Sequence, residues 1–236
     1  MSAVIEARDL HKYFGPIKAL KGVTVEIPEG LTLILGPNGG GKSTFMKVAL
    51  GLYKPTKGTV KLLGKDPWKH PETRKSVGVA FDPGRFPKLT TGREWLEFIA
   101  RTRGANPDDV EKAAGLFGIE DALDRRIDGY SSGMVKRLSL AQAFVGEPAV
   151  VFLDEPLANL DFESVAEIVG IIGKWKGRGR SFILISHIWE PFEGLADYGV
   201  VISGGKVYLK GKFGEIVDGI SDMFRPSGKD TGQNLE

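Results

Sequence analysis

Gly36-Pro37-Asn38-Gly39-Gly40-Gly41-Lys42-Ser43-Thr44 places a glycine, a four-residue spacer and then Gly-Lys-Ser-Thr in one short stretch. Backbone lacking Cβ atoms can curl so that successive N–H groups point inward at an anion, and the positive end of a following helix adds to the attraction. Lys42 supplies a full positive charge and Ser43 a hard hydroxyl oxygen, a combination suited to the β- and γ-phosphates of a nucleotide and to Mg²⁺. The setting agrees with that chemistry. The apolar run Leu31–Leu35 reads as a strand just before the loop, and a helical pattern runs from Lys42 to Leu50 just after it. A second chemical pair stands far along the chain, where the buried-strand pattern Val150-Val151-Phe152-Leu153 ends in Asp154-Glu155. At the carboxyl end of a parallel strand, Asp154 is placed for a metal shell and Glu155 for polarising a water. The expected ligands are ATP and Mg²⁺. Gly36, Asn38, Gly39, Gly40, Gly41, Lys42, Ser43 and Thr44 are expected around the phosphates, Ser43 and Asp154 at the metal, and Lys42 and Glu155 in catalysis.

Positioning these groups calls for alternating strands and helices. Val23–Ile27 alternates with period two, and Gly58–Leu63, Val77–Phe81 and Phe182–Ile185 are further strand candidates. Gly204-Gly205 between Gly199–Ser203 and Lys206–Leu209 is a hairpin signal. In the middle of the chain the period changes. Thr91 and Glu94 have capping-box spacing ahead of Trp95, Leu96, Phe98 and Ile99, and Gly104 marks the end of that helix. Asn106 as cap and Pro107 in the first turn open another helix with an apolar stripe of Val110, Ala113, Ala114 and Phe117. Helices are also expected over about 133–145 and 162–175. The pattern predicts an α/β fold: a P-loop NTPase core with a mainly parallel sheet, an antiparallel β-subdomain near the N-terminus and a helical subdomain inserted at about 84–147. One domain is expected over 1–220, followed by a loosely ordered tail over 221–236.

Tyr130-Ser131-Ser132-Gly133-Met134, followed by Lys136, Arg137, Ala141 and Gln142, resembles the signature segment of ABC ATPases and its helix. Ala158-Asn159-Leu160-Asp161 is similar to that family's D-loop, Ser186-His187 to its switch-histidine loop, and Leu10 to Gly15 to its adenine-stacking segment. The set covers residues of about 4 to 210, in the family's order. The resemblance implies that Phe14, with Tyr13 as the alternative, stacks on adenine and that His187 contacts the γ-phosphate. It also implies that Ser131, Ser132 and Gly133 reach the γ-phosphate of an opposite subunit, and that Asp161 belongs to the shared nucleotide site. Three departures stand out. Ser132 and Met134 replace a glycine and a glutamine of the usual Leu-Ser-Gly-Gly-Gln, and Tyr130 replaces its leucine. No glutamine precedes Gln142, so the family's Q-loop glutamine is missing, and Asp82 stands in its place as a candidate metal-shell residue. These departures look more like exporter-type ABC subunits than nutrient importers.

The resemblance further implies a transmembrane permease partner, an ATP-dependent dimer with a second copy or a homologous ATPase subunit, and a cytoplasmic, peripheral position at the inner membrane face. The alternative is a soluble ABC ATPase serving translation or iron–sulfur assembly. Composition narrows the field in other ways. Lys and Arg total 32 against 30 Asp and Glu, a near balance that gives no reason to expect a nucleic-acid partner. The 236 residues contain no cysteine, which excludes disulfides and thiolate metal sites. The opening Met1–Glu6 shows no signal-peptide pattern, and the longest apolar runs are only strand length.

Overall fold

The computed structural model describes residues 3–224. β1 (Ala3–Phe14), β2 (Ile17–Pro28) and β4 (Lys57–Leu62) form an antiparallel sheet in the order β2-β1-β4. β3 (Leu31–Leu35), β5 (Val77–Ala80), β6 (Val150–Asp154), β7 (Ser181–Ile185), β8 (Tyr198–Ser203) and β9 (Lys206–Lys212) form a second sheet in the order β5-β6-β7-β3-β8-β9. Every pairing in it is parallel except the closing β8–β9 hairpin. The helices are α1 (Lys42–Ala49), α2 (Gly92–Arg103), α3 (Asp108–Leu116), α4 (Ser132–Phe144), α5 (Phe162–Gly177) and α6 (Phe213–Phe224).

β3, β6 and β7 are buried at every position, because both faces of the parallel sheet are covered. Their side chains divide by the period of two. Leu31, Leu33, Val151, Leu153, Phe182 and Leu184 point into one core, shared with Leu96, Phe117, Leu138, Phe144 and Ile172 from the helices. Ile34, Phe152, Ile183 and Ile185 point into another, shared with Phe45, Met46 and Val48 of α1 and with Val25 and Val60 of the antiparallel sheet. Burying one such large side chain contributes roughly 1.5–3 kcal/mol, so each face is held by many independent increments.

The helical lobe follows the expected chemistry with small shifts. Thr91 and Glu94 complete the capping box of α2, and Gly104 closes that helix at φ 72°. α3 starts at Asp108 with Pro107 as its N-cap, so Asn106 is not the capping residue; the Asp109 carboxylate instead accepts from the Asn106 N–H at 3.1 Å. Proline's fixed φ already suits a helical turn, which moves the boundary forward. α4 lies along the edge strand β5. Ser139 Oγ donates to the Phe81 carbonyl at 3.1 Å and Gln142 Nε2 to the Val79 carbonyl at 3.2 Å. At Gly78 a Cβ would overlap the Ala143 carbonyl, so only glycine permits this approach.

Two elements were not read from the sequence: most of β1, and α6, which carries the chain to Phe224. The helix thus enters the stretch expected to be a loosely ordered tail; the remainder of that stretch lies outside the described residues.

Candidate functional site

The loop from Gly36 to Gly41 leaves β3 and enters α1. Gly36 sits at φ 143°, where a Cβ would overlap the Ile202 carbonyl of β8, so the loop rests directly on backbone. Gly41 is the N-cap of α1 and supplies no side-chain cap, whereas Thr91, Ser131 and Asp161 cap α2, α4 and α5 through their side chains. The first-turn N–H groups of α1 are thus left to an outside acceptor, as an anion site requires. Lys42 is only 6% exposed, and its Nζ donates to the carbonyls of Gly36 at 2.7 Å and Pro37 at 3.0 Å. Burial pushes the Lys42 ammonium below the usual lysine range, while Glu155 and Asp154 oppose that shift.

The acids at the end of β6, Asp154 and the following Glu155, reach the same place. Asp154 is 8% exposed; burial pushes its carboxyl up, against a hydrogen bond from Ser43 and the charge of Lys47. Glu155 adopts φ 48°, a left-handed conformation that is costly for a side chain of this kind, and its N–H donates to the Ile185 carbonyl at 2.8 Å. Burial raises the Glu155 carboxyl as well, and the charge of His187 works against the rise. The His187 N–H donates to Glu155 Oε2 at 3.3 Å, and His187 Nε2 lies 3.1 Å from Oε1. That second contact has ion-pair distance without hydrogen-bond alignment, so the buried Oε1 keeps no aligned donor. An acceptor in that state is suited to a water proton.

Asn38, Gly39, Gly40, Gly41, Lys42, Ser43, Thr44, Asp82, Asp154, Glu155 and His187 line one open cleft of about 360 Å³. Residues more than a hundred positions apart in the sequence therefore converge on one cleft. Gly36 supports this cleft from below through its carbonyl bond to Lys42. Ser132 and Gly133 line a neighbouring cleft, with Asp82, Lys136 and Asn159. Ser131 accepts from the Met134 N–H as the cap of α4, and Asp161 accepts from the Ser164 N–H at 2.8 Å as the cap of α5. That bond holds the Asp161 carboxyl below the usual aspartate range. Phe14 lies outside the lining of the phosphate cleft. Its ring makes an edge contact with Tyr53 at 5.3 Å, and the Lys12 ammonium lies 4.9 Å from its centroid. Tyr13 hydrogen-bonds His11 at 2.9 Å.

Sequence reasoning missed other parts of the site. Ile17, Lys18, Gly204 and Gly205 line the phosphate cleft. The Gly205 N–H donates to the Gly40 carbonyl at 2.9 Å, so a turn readable only as a hairpin braces the phosphate loop. Lys136 was noted only as part of the signature helix. Its Nζ donates to Asp82 Oδ1 at 2.9 Å and also to the Glu155 carbonyl.

The donor set suits magnesium. Ser43 and Asp154 supply hard oxygens in hydrogen-bond contact within the phosphate cleft. Such a pair of oxygens fits magnesium, which takes few protein ligands and completes its shell with water and substrate phosphates.

A phosphate loop on a parallel sheet, strand-end acids and an inserted helical lobe define a nucleotide-binding ATPase cassette. The chain belongs to the ABC transporter family, which it matches over residues 20–158. It is 34% identical over 218 residues to the daunorubicin/doxorubicin resistance ATP-binding protein DrrA of Streptomyces peucetius, covering 90% of this chain and 66% of that one. It is 30% identical over 203 residues to the ABC transporter ATP-binding protein NatA of Bacillus subtilis (strain 168), covering 83% and 82%. A solved ATP-binding subunit of an ABC transporter superposes with a TM-score of 0.83 at 25% identity, covering 92% of this chain and 93% of the other. The chain thus carries the family's ATP-binding, ATP-hydrolysing domain, the part that couples hydrolysis to transport. These similarities go against the alternative of a soluble ATPase in translation or iron–sulfur assembly.

Proposed function

We propose that the chain hydrolyses Mg²⁺–ATP within an ATP-dependent pair of subunits and drives a membrane permease in the export direction. The observation that carries the hydrolytic part is the buried Glu155 Oε1 without an aligned donor, in the cleft of Lys42, Ser43 and Asp154. Glu155 accepts a proton from the attacking water, and His187 steers that carboxylate and the γ-phosphate. Lys42 exchanges its two loop carbonyls for phosphate oxygens, while the amides of residues 38–44 cradle the phosphates. Phe14, once turned from Tyr53, offers an adenine-stacking face. Ser43 and Asp154 hold the metal, with Asp82 in its outer shell; magnesium supplies charge screening for the transferred phosphoryl group. Ser131, Ser132, Gly133 and Asp161 serve the site of the opposing copy.

We take the described chain as one domain that runs through α6 to Phe224, four residues beyond the expected limit of 220, with its helical lobe at about 84–147. No helix among the described residues is long and apolar enough to cross a membrane. Membrane contact falls to a permease on the cytoplasmic face, docked at the groove between β5 and α2. There Trp95 packs against Phe86 and Phe98, and Phe98 stays 48% exposed. The apolar stripe of α3 is used internally, since Val110, Ala113, Ala114 and Phe117 are buried. The export direction rests on the likeness to a resistance protein and on Asp82 with the Ser-x-Gly-Met signature.

The test is affinity purification of the full chain from its native membrane, followed by ATPase assay and light scattering of Glu155→Gln. Co-purification of a hydrophobic permease and a dimer in ATP but not in ADP are expected. A subunit that hydrolyses ATP yet recovers no membrane protein and stays monomeric in millimolar ATP would sink the reading.

A further inference from the structure

Lys136 lies on α4, one turn beyond the signature segment, and is 9% exposed. With Ser139 and Gln142 it forms a row at three-residue spacing along one face of the helix. The row grips the end of the edge strand β5 and the segment that leaves it. Gln142 holds the Val79 carbonyl, Ser139 the Phe81 carbonyl, and Lys136 the Asp82 carboxylate at 2.9 Å. Lys136 alone also reaches across to the residue that follows β6, donating to the Glu155 carbonyl. One buried ammonium thus ties together the loop after β5, the residue proposed to direct water, and the helix that begins with the signature.

The first two ties end on backbone carbonyls, which have no charge to offer a metal. The third ends on a carboxylate that also lines the phosphate cleft. A cation in that cleft and Lys136 therefore draw on the same side chain. We propose that Lys136 is a positioning residue: it holds Asp82 against the signature helix until Mg²⁺–nucleotide claims that carboxylate, and the row then opens from its signature end while Ser139 and Gln142 stay bound. The proposal rests on the metal-shell reading of Asp82. It adds that occupation of one subunit's cleft is transmitted to its own signature segment through the loss of a single ion pair.

The test compares wild type, Asp82→Ala, Lys136→Met, Lys136→Arg and the double variant Asp82→Ala/Lys136→Met in the full chain. The readouts are the Mg²⁺ concentration for half-saturated ADP binding by calorimetry, without turnover, and the Tm of the metal-free protein. Asp82→Ala is expected to raise the Mg²⁺ midpoint. Lys136→Met is expected to lower it by about fivefold or more, the scale of a competing interaction, and Lys136→Arg to stay near wild type. In the double variant the midpoint should equal that of Asp82→Ala, and the Tm should exceed that of Lys136→Met, because the half-buried Asp82 carboxylate is no longer left without its ammonium partner. A wild-type midpoint in Lys136→Met beside a raised one in Asp82→Ala overturns the role of Lys136 and leaves the metal-shell reading standing. A wild-type midpoint in Asp82→Ala sinks both. A double variant whose midpoint differs from Asp82→Ala shows that Lys136 acts by charge rather than through Asp82; this comparison remains available even if Lys136→Met alone does not fold.

Discussion

α1 and α4 both open toward clefts beside Asp82, and both begin in small residues, yet their first turns are finished differently. α1 begins at a glycine with no side-chain cap and carries a buried lysine folded back onto its own loop. α4 begins at Ser131, whose hydroxyl accepts from the Met134 N–H, and Ser131, Ser132 and Gly133 are all exposed. One helix end waits for an anion, and the other is already satisfied within its own chain. The contrast separates an element that supplies affinity by itself from one that contributes only after another surface arrives.

Three substitutions and a pH profile probe that contrast. The largest effect is expected at Glu155→Gln, which should slow turnover by roughly 10²–10⁴ while ATP binding to the α1 side persists. A stopped assay with parallel calorimetry measures both, and a loss of binding matching the loss of rate would merge the two roles. The same assay run across pH checks the carboxylate. Burial raises Glu155, so turnover should fall on acidification above the range of an exposed glutamate, and the residual rate of Glu155→Gln should lack that limb. The sign for stability is the opposite. The folded state of the metal-free chain binds protons at Asp154 and Glu155 more tightly than the unfolded chain does. Their contribution is present below the unfolded carboxylate pKa and is lost as pH rises through the raised folded values.

Gly78→Ala is next. It drives a methyl group into the Ala143 carbonyl and should cost about 1–3 kcal/mol in urea unfolding. Nucleotide affinity at α1 should change less than signature-dependent dimer formation, since the strain falls on the seat of α4. Equal loss of both would show that the two helix ends are not separable. The smallest effect is expected at Ser131→Ala. Loss of a cap costs about 1 kcal/mol, visible as a lower Tm. ATP-dependent dimer formation, measured by light scattering at a temperature where the variant is folded, should weaken as well; an unchanged dimer would leave Ser131 as a cap and nothing more.

The phosphate loop, the strand-end acids and the signature were legible because each is local: a strand, a turn and a helix start written in neighbouring residues. β1 was not, because register shifts around Asp9, which sits at φ 46°, break the alternation between Ala7 and Leu10. α6 was missed because glycines and acids interrupt its stripe of Phe213, Ile216 and Ile220, and its last turn falls in the stretch from 221 whose polar composition suggested a loosely ordered end. The engagement of Asp82 was out of reach for another reason. Lys136 lies 54 residues away, and nothing in either neighbourhood announces the partner. Phe14 was placed near adenine by resemblance alone, and no local pattern could reveal its contact with Tyr53.

The order β7-β3-β8 has a consequence for how the protein is made. β3, which launches the phosphate loop, is completed before residue 36, but both of its neighbours come from residues 181–203. During synthesis from the N-terminus the loop therefore emerges early, with its strand edges bare and its supporting carbonyl at Ile202 not yet translated. Most of the chain must leave the ribosome before the nucleotide pocket can close. A nascent chain stalled in α5 would carry the phosphate loop, the acids and the signature, and would still lack the floor on which ATP is to rest.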